Sequence, residues 1–208
     1  ISKKINNSLK QLNSRKIYAI LLHSPKDLFL KKGARIYKIL EHFKEKKKVK
    51  KIGVSVYETS ELKKIIQNYK IDIVNLPLSL ANRSFLKKNF LKKIKQKNIE
   101  IHVRSVFLQG LLLNYNKEKF KYLMKTNFFK KWDYWLNYNR ISALDACISF
   151  VKGIKEIDKI VLGIDDMKQL KLIYNSYNNK KNFILPNFEG SKKLIRPQKW
   201  KLNEKKIY

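Results

Sequence analysis

Five short apolar runs in this chain each lead into a polar residue or a glycine. These five positions are His23, Ser55, Asn75, Arg104 and Gly163. An imidazole can donate a hydrogen bond near neutral pH. A guanidinium offers a flat positive charge to a ring or an anion. The five residues are therefore candidates for a binding or catalytic site, provided that the fold brings their runs side by side.

The runs have the length of β-strands, and lysine-rich amphipathic stretches separate them. We predict strands at Ile17–Leu22, Ile52–Val56, Ile71–Leu76, Ile99–Val103 and Lys159–Leu162. Strand-like and helix-like segments that alternate in this way are typical of βα units and a parallel sheet. Such sheets carry their chemistry at the carboxyl ends of the strands, which is where the polar residues lie.

The amphipathic stretches predict the helices around the sheet. We expect the end of a helix at 7–14, then helices at 33–48, from Thr59, at 84–97, two or three within 117–152, and a last one at about 166–177. The predicted domains are a barrel-like unit over 1–177 and a C-terminal extension over 178–208 that packs on it through Trp200.

Five consecutive parallel strands cannot close a cylinder, because a (β/α)8 barrel needs eight strands and ~250 residues. An open doubly wound sheet usually shows a glycine-rich phosphate turn after an early strand, and this sequence has none. We therefore predict an α/β TIM barrel that is represented by about five βα units, with the first three units missing. The chain opens on Ile1 rather than Met, in keeping with that expectation.

The charge of the chain is strongly positive, with 48 basic and 16 acidic residues and a formal charge of +32. One interpretation is a surface for nucleic acid or an anionic membrane. The other is a codon bias that enriches lysine, asparagine and isoleucine together. Only six of the basic residues are arginines, the preferred type for bidentate phosphate and base contacts. The composition thus favours the codon bias and predicts no specific nucleic acid partner.

Cys147 is the only cysteine, so an intramolecular disulfide is impossible and a reducing compartment such as the cytoplasm is expected. It lies in an apolar stretch and is predicted to be a core thiol rather than a nucleophile. No run approaches the ~18 apolar residues of a membrane span, so we expect no membrane partner. We also expect no metal site.

Four segments together resemble the aldo/keto reductase superfamily. They are Leu21–Pro25, Ile52–Tyr57, Ile101–Leu112 and Val161–Asp165. Their order and spacing look like strands four to eight of that family's TIM barrel, so the chain resembles its C-terminal portion. The resemblance implies an oxidoreductase that uses NAD(P)H to reduce an aldehyde or ketone to an alcohol, with a small carbonyl compound as its substrate.

The resemblance also implies a catalytic tetrad of Asp, Tyr, Lys and His. Only the histidine has a match here, at His23, where it would orient the carbonyl group or assist proton transfer. The other three members belong to the first three strands of the family's barrel. We therefore expect the full-length protein to be an enzyme, and these 208 residues alone to be inactive and poorly stable.

Cofactor contacts carry over unevenly from the family. The Ser-Asn pair after strand five becomes Ser55 and Val56, and the strand-six glutamine, which holds the carboxamide, becomes Asn75. Arg104 stands where an aromatic residue usually stacks on the nicotinamide. A guanidinium can stack there too, although an ion pair with a carboxylate would also explain this arginine.

The segment after strand eight usually cradles the adenosine phosphates on backbone amides at a helix N-terminus. Gly163, Ile164 and Asp165 match this segment. Carboxylates here would repel the 2′-phosphate of NADP, so the sequence leans weakly to NAD. Alternatively, Asp165 only caps the following helix.

A second function remains open on the sequence. A degenerate barrel could be a catalytically inactive, basic binding module for a polyanion or a protein partner. The five strand-end residues favour the oxidoreductase, because a binding module has no need to group them at one edge.

Overall fold

The computed structural model describes residues 1–114, 120, 123, 126–179, 184–186, 188–197 and 200. It has an α/β fold in which helices alternate with the strands of one five-stranded sheet. None of the helices within these residues is long and apolar enough to cross a membrane.

Seven helices and five strands are found in the described residues. The helices are α1 (Ser2–Gln11), α2 (Gly33–Glu45), α3 (Thr59–Asn68), α4 (Phe90–Lys95), α5 (Asn127–Asn139), α6 (Ala143–Lys152) and α7 (Met167–Asn178). The strands are β1 (Ile17–Leu22), β2 (Val49–Ser55), β3 (Ile73–Pro77), β4 (Glu100–Arg104) and β5 (Lys159–Ile160). Two 3-10 helices, Pro25–Phe29 and Ser84–Asn89, lie in the connections.

The strands are ordered β1-β2-β3-β4-β5, so chain neighbours are also sheet neighbours. Strands β1 and β2 pair in parallel, with Ile17 opposite Val49 and Leu22 opposite Val54. Strands β2 and β3 also pair in parallel, with Ser55 opposite Asn75. This sequential parallel order confirms the prediction of repeated βα units.

The chain divides into two compact units. The first consists of residues 1–76 and 84–102. One of its cores lies between the first two helices and the sheet, where Ile5, Leu9, Leu40, Phe43, Val49 and Ile52 are buried together. Helices α1 and α2 each present one apolar face to this cluster and leave their lysines in solvent, which is why lysine-rich segments can still fold onto the sheet.

The second unit consists of residues 77–83 and 103–208. Trp132 of α5 is fully buried, and its indole Nε1 donates to the Leu112 carbonyl at 3.2 Å. Cys147 of α6 is also fully buried, and burial raises the pKa of its thiol, as expected for a core cysteine. Within the C-terminal segment, the Nε1 of Trp200 donates to the Leu194 carbonyl at 3.0 Å.

Several predicted boundaries were wrong. Strand β2 begins at Val49, three residues before the predicted start, since Val49 pairs with Ile17, and α2 accordingly ends at Glu45 rather than near residue 48. The predicted helix over 84–97 is broken, because Lys88 and Asn89 both have left-handed φ angles of 56° and 55°.

Three further boundaries differ. The first helix begins at Ser2, β3 begins at Ile73, and the regular part of β5 is limited to two residues. Part of the predicted helical region 117–152, and most of the tail after Asn179, lie outside the described residues.

Candidate functional site

The first unit places three of the predicted site residues on or directly after adjacent strands, with Asn75 in the middle of β3 rather than at its end. Ser55 ends β2 and lies directly opposite Asn75 of β3. His23 follows Leu22, whose partner Val54 precedes Ser55. The parallel register therefore places Ser55 beside Asn75, and His23 directly follows the neighbouring strand.

A glycine fixes the close approach of β2 and β3 beneath this edge. A Cβ added to Gly53 would lie 1.9 Å from the carbonyl oxygen of Ile73 and 2.6 Å from its Cγ2. No side chain can occupy that space, so the glycine allows the two strands to pair where Ser55 and Asn75 follow two residues later. The close packing positions the amide and the hydroxyl on rigid backbone.

Asn75 carries a polar atom that lacks a partner. Its Oδ1 is covered from solvent and accepts no hydrogen bond within the described part of the chain. A buried amide oxygen without a donor costs ~1–3 kcal/mol, so native proteins rarely retain one unless another group satisfies it. This oxygen therefore has a hydrogen-bonding capacity that the described residues do not use.

His23 is exposed at the mouth of β1 and starts a short turn. In that turn the Ser24 hydroxyl donates to Asp27 Oδ1 at 3.2 Å, and the Asp27 amide donates to the Ser24 carbonyl at 3.1 Å. Pro25 then opens the 3-10 helix. The turn holds the backbone after His23, while its imidazole is accessible to a ligand from solvent.

The second unit holds the remaining predicted residues. Arg104 ends β4, is half-buried, and its carbonyl accepts the Leu78 amide at 3.0 Å. Its Nη1 lies 3.4 Å from Ser105 Oγ. The Val161 amide donates to the Val103 carbonyl at 2.8 Å, which aligns the segment before Gly163 with the end of β4.

The backbone after Arg104 is strained. Ser105, Leu108 and Gln109 have left-handed φ angles of 60°, 49° and 57°. Such angles cost non-glycine residues energy and persist only where packing and hydrogen bonds enforce them. Leu108 is buried, and its carbonyl accepts the Leu111 amide at 3.1 Å. The tight loop at this strand end is therefore fixed rather than open.

Gly163, Ile164 and Asp165 form an exposed segment before α7. The helix is capped by Asp166, whose Oδ1 accepts the Gln169 amide at 2.7 Å. Asp165 is not the cap; instead its amide donates to Gln169 Oε1 at 3.1 Å. The alternative explanation of Asp165 as the helix cap was wrong, because the helix starts one residue later than that explanation requires.

Sequence reasoning missed a polar cluster on the same sheet. The buried Glu100 accepts the Tyr18 hydroxyl at 2.7 Å, contacts His102 Nε2 at 2.6 Å and pairs with Lys51. Burial alone would raise the pKa of Glu100, but the hydrogen bonds from Lys51, Tyr18 and His102 lower it to about 2. The hydrogen bond to Glu100 also raises the pKa of Lys51.

The signal for this cluster was the alternation of polar residues along one strand. Glu100, His102 and Arg104 occupy every second position of β4, and so they share one face of the sheet. His102 is buried and contacts Glu100, so this histidine has a structural role in the cluster.

The parallel sheet and the helices between its strands define an α/β protein. The aldo/keto reductase family model matches residues 1–186. The chain therefore belongs to the aldo/keto reductase family. No match was found among curated protein sequences.

Solved aldo-keto reductases have a similar fold. The apo form of AKR11C1 from Bacillus halodurans is 14% identical with a TM-score of 0.63, covering 88% of this chain and 63% of that one. Its holo form is 14% identical with a TM-score of 0.63, covering 87% and 62%. The thermostable Tm1743, solved with the inhibitor epalrestat, is 13% identical with a TM-score of 0.62, covering 93% and 62%. The chain thus spans less than two thirds of these structures.

Proposed function

We propose that this chain contributes the nicotinamide-binding edge of an NAD(P)H-dependent carbonyl reductase, which converts an aldehyde or ketone to an alcohol. The proposal rests on one observation above others: the Ser55–Asn75 pair, next to His23, carries a buried amide oxygen without a donor in the described part of the chain. Membership in the aldo/keto reductase family supports the reaction class.

The chemistry of this donor set fits the nicotinamide end of the cofactor. The N–H groups of a carboxamide can donate to Asn75 Oδ1, which has no donor among the described residues. The carboxamide oxygen can in turn accept a hydrogen bond from a hydroxyl such as that of Ser55. Satisfying the buried oxygen removes a cost of ~1–3 kcal/mol, and that energy favours the bound state. When bound, the reduced nicotinamide supplies the hydride that the carbonyl carbon accepts.

His23 is proposed to bind and orient the carbonyl oxygen. Its exposed imidazole can donate one hydrogen bond to that oxygen, which holds the carbonyl group and polarises it. The chain has no match for the Tyr, Lys and Asp of the family's tetrad. We propose that these groups come from outside these 208 residues, in keeping with a chain that spans 63% of AKR11C1. The chain then corresponds to strands four to eight.

The start of α7 does not fit a phosphate. The carboxylate of Asp166 already bonds the Gln169 amide, and Asp165 lies beside it. A phosphate approaching these amides would meet two negative charges. Because these carboxylates would also repel the additional 2′-phosphate of NADP, we propose that NAD is preferred over NADP.

The test is a titration of the chain with NADH, in which isothermal calorimetry measures the binding affinity. Asn75→Leu removes the oxygen, and we expect it to weaken NADH binding at least ~10-fold, as the loss of one buried hydrogen bond predicts. Asn75→Gln, which restores the family's residue, should bind at least as well as the original. Asn68→Leu is the matched control, because the Asn68 amide bonds the Lys64 carbonyl on the exposed end of α3.

Two results would overturn the proposal. The first is equal NADH affinity in the Asn75→Leu and Asn68→Leu variants. The second is no detectable NADH binding by the original chain, in which case a basic binding module becomes the better account. Circular dichroism of each variant separates loss of binding from loss of fold.

A further inference from the structure

One face of α5 carries two exposed aromatic rings next to cations. Tyr134 and Tyr138 expose 71% and 76% of their surface. Their ring centroids lie 6.0 Å apart and the ring planes are inclined by only 19°. At about 100° per residue, Lys130, Lys131 and both tyrosines fall within an arc of ~100°. The rings and the ammonium groups therefore share one side of the helix.

The tyrosines are not needed to hold the helix in place. The opposite face of α5 is anchored by four buried side chains, Phe128, Phe129, Trp132 and Leu136. Large aromatic rings gain stability from burial, so two neighbouring rings that remain more than two thirds exposed suggest a contact surface.

Positive charge lies at both ends of α5. Lys130 and Lys131 are exposed in the first turns of α5, and the exposed Arg140 ends the helix with a φ of 50°. A rise of about 1.5 Å per residue separates these two ends by ~15 Å. Asp133 is the only acidic residue of the helix, and its Oδ2 accepts from the Asn137 amide at 3.4 Å.

We propose that this aromatic face of α5 (Lys130, Lys131, Tyr134 and Tyr138) binds single-stranded nucleic acid without sequence preference. Bases stack on the two phenol rings, and the cations neutralise the flanking phosphates. The exposed ammonium groups of Lys130 and Lys131 on the same side of the helix favour a polyanion. The exposed, nearly parallel rings favour a polyanion that carries flat bases over a protein or a membrane.

This activity differs from the specific recognition that the composition argued against. Base-specific contacts are mostly made by arginine, asparagine and glutamine in a groove, whereas stacking is tolerant of sequence because every base has a π face. The surface is independent of the proposed carbonyl reduction, since none of its residues belongs to the strand ends.

The experiment measures fluorescence anisotropy of a labelled oligothymidylate and of an abasic strand of the same length and charge. Stacking is worth ~1–3 kcal/mol per base. The double variant Y134A/Y138A should therefore bind the oligothymidylate at least ~10-fold more weakly, and the abasic strand within about twofold of the original. Y134F/Y138F keeps both rings and should keep the affinity.

The lysines are tested by salt dependence. K130Q/K131Q should weaken the binding of both strands. The slope of log K against log salt should fall by ~1.4, because each phosphate that a lysine no longer neutralises reduces it by ~0.7. Y174A is the matched control, because Tyr174 on α7 is 66% exposed but has no place on this face. Its removal should leave both affinities unchanged.

Three outcomes would overturn the proposal. In the first, Y134A/Y138A binds the oligothymidylate like the original chain. In the second, its affinity for the abasic strand, or for a polyanion such as heparin, falls by the same factor, which means that charge alone is recognised. In the third, Y174A causes an equal loss. Exposed tyrosine-to-alanine changes favour helix formation, so circular dichroism is expected to show an intact fold.

Discussion

Replacing Glu100 by glutamine removes the charge at the centre of the Tyr18–Lys51–His102 cluster while keeping the shape of the side chain. The pKa of Glu100 lies at about 2 in the folded chain against an ordinary 4.5. Each pKa unit corresponds to ~1.4 kcal/mol, so the carboxylate stabilises the fold by ~3 kcal/mol at neutral pH. We expect Glu100→Gln to lower the free energy of unfolding by ~2–3 kcal/mol, because the amide oxygen retains part of the hydrogen bonding.

The effect of Glu100→Gln on the free energy of unfolding is expected to depend on pH. A carboxylate whose pKa is lowered by folding stabilises fully above pH ~4.5, and its contribution is lost as the pH falls toward ~2. At pH ~3 the folded and ordinary pKa values leave the carboxylate a stabilisation of ~1.4 kcal/mol. The difference in unfolding free energy between the original chain and Glu100→Gln should therefore shrink by about half or more. Urea unfolding curves at pH ~7 and pH ~3 measure both quantities.

The matched control is Glu45→Gln, at the exposed end of α2, which should change the unfolding free energy by less than ~0.5 kcal/mol. A Glu100→Gln variant as stable as the original at neutral pH would refute the reasoning. So would a difference that grows as the pH is lowered, since that would mean that the carboxylate is destabilising.

Two further pairs of substitutions are tested by urea unfolding. Gly53→Ala places a methyl group against the Ile73 carbonyl and should destabilise the fold by more than ~3 kcal/mol. Gly163→Ala is the control, because an added Cβ there meets nothing within 4 Å, and it should change the free energy of unfolding by less than ~0.5 kcal/mol. Similar effects of both substitutions would contradict the packing argument. Asp166→Ala removes the cap of α7 and should cost ~1 kcal/mol, whereas Asp165→Ala should cost less; the reverse order would show that the cap is misplaced.

The strand ends could be predicted from the sequence because apolar runs in a parallel sheet are interrupted where the strand leaves the core. For β1 the predicted bounds, Ile17–Leu22, agree with the structure. The start of β2 could not be found in the same way. Lys50 and Lys51 look like solvent-exposed loop residues, yet Lys51 lies in the strand and its ammonium group pairs with Glu100.

Other features could not be predicted because they depend on contacts that form only in the folded chain. Glu100 and Tyr18 are 82 residues apart, and only the register of the strands between them brings the hydroxyl to the carboxylate. The break in the helix before α4 depends on the left-handed φ angles of Lys88 and Asn89, and a lysine gives little local signal for such an angle. The missing donor of Asn75 likewise becomes visible only once its neighbours are in place.

Comparing NADH with ADP-ribose as ligands of the unmodified chain tests the central proposal most directly. ADP-ribose has the same adenosine and phosphates but no nicotinamide, so it brings no carboxamide N–H group to the Asn75 amide oxygen. The account predicts that calorimetry will show NADH binding at least ~10-fold more tightly, the value of one buried hydrogen bond. Equal affinities, or binding of neither ligand, would contradict a nicotinamide site at Ser55 and Asn75.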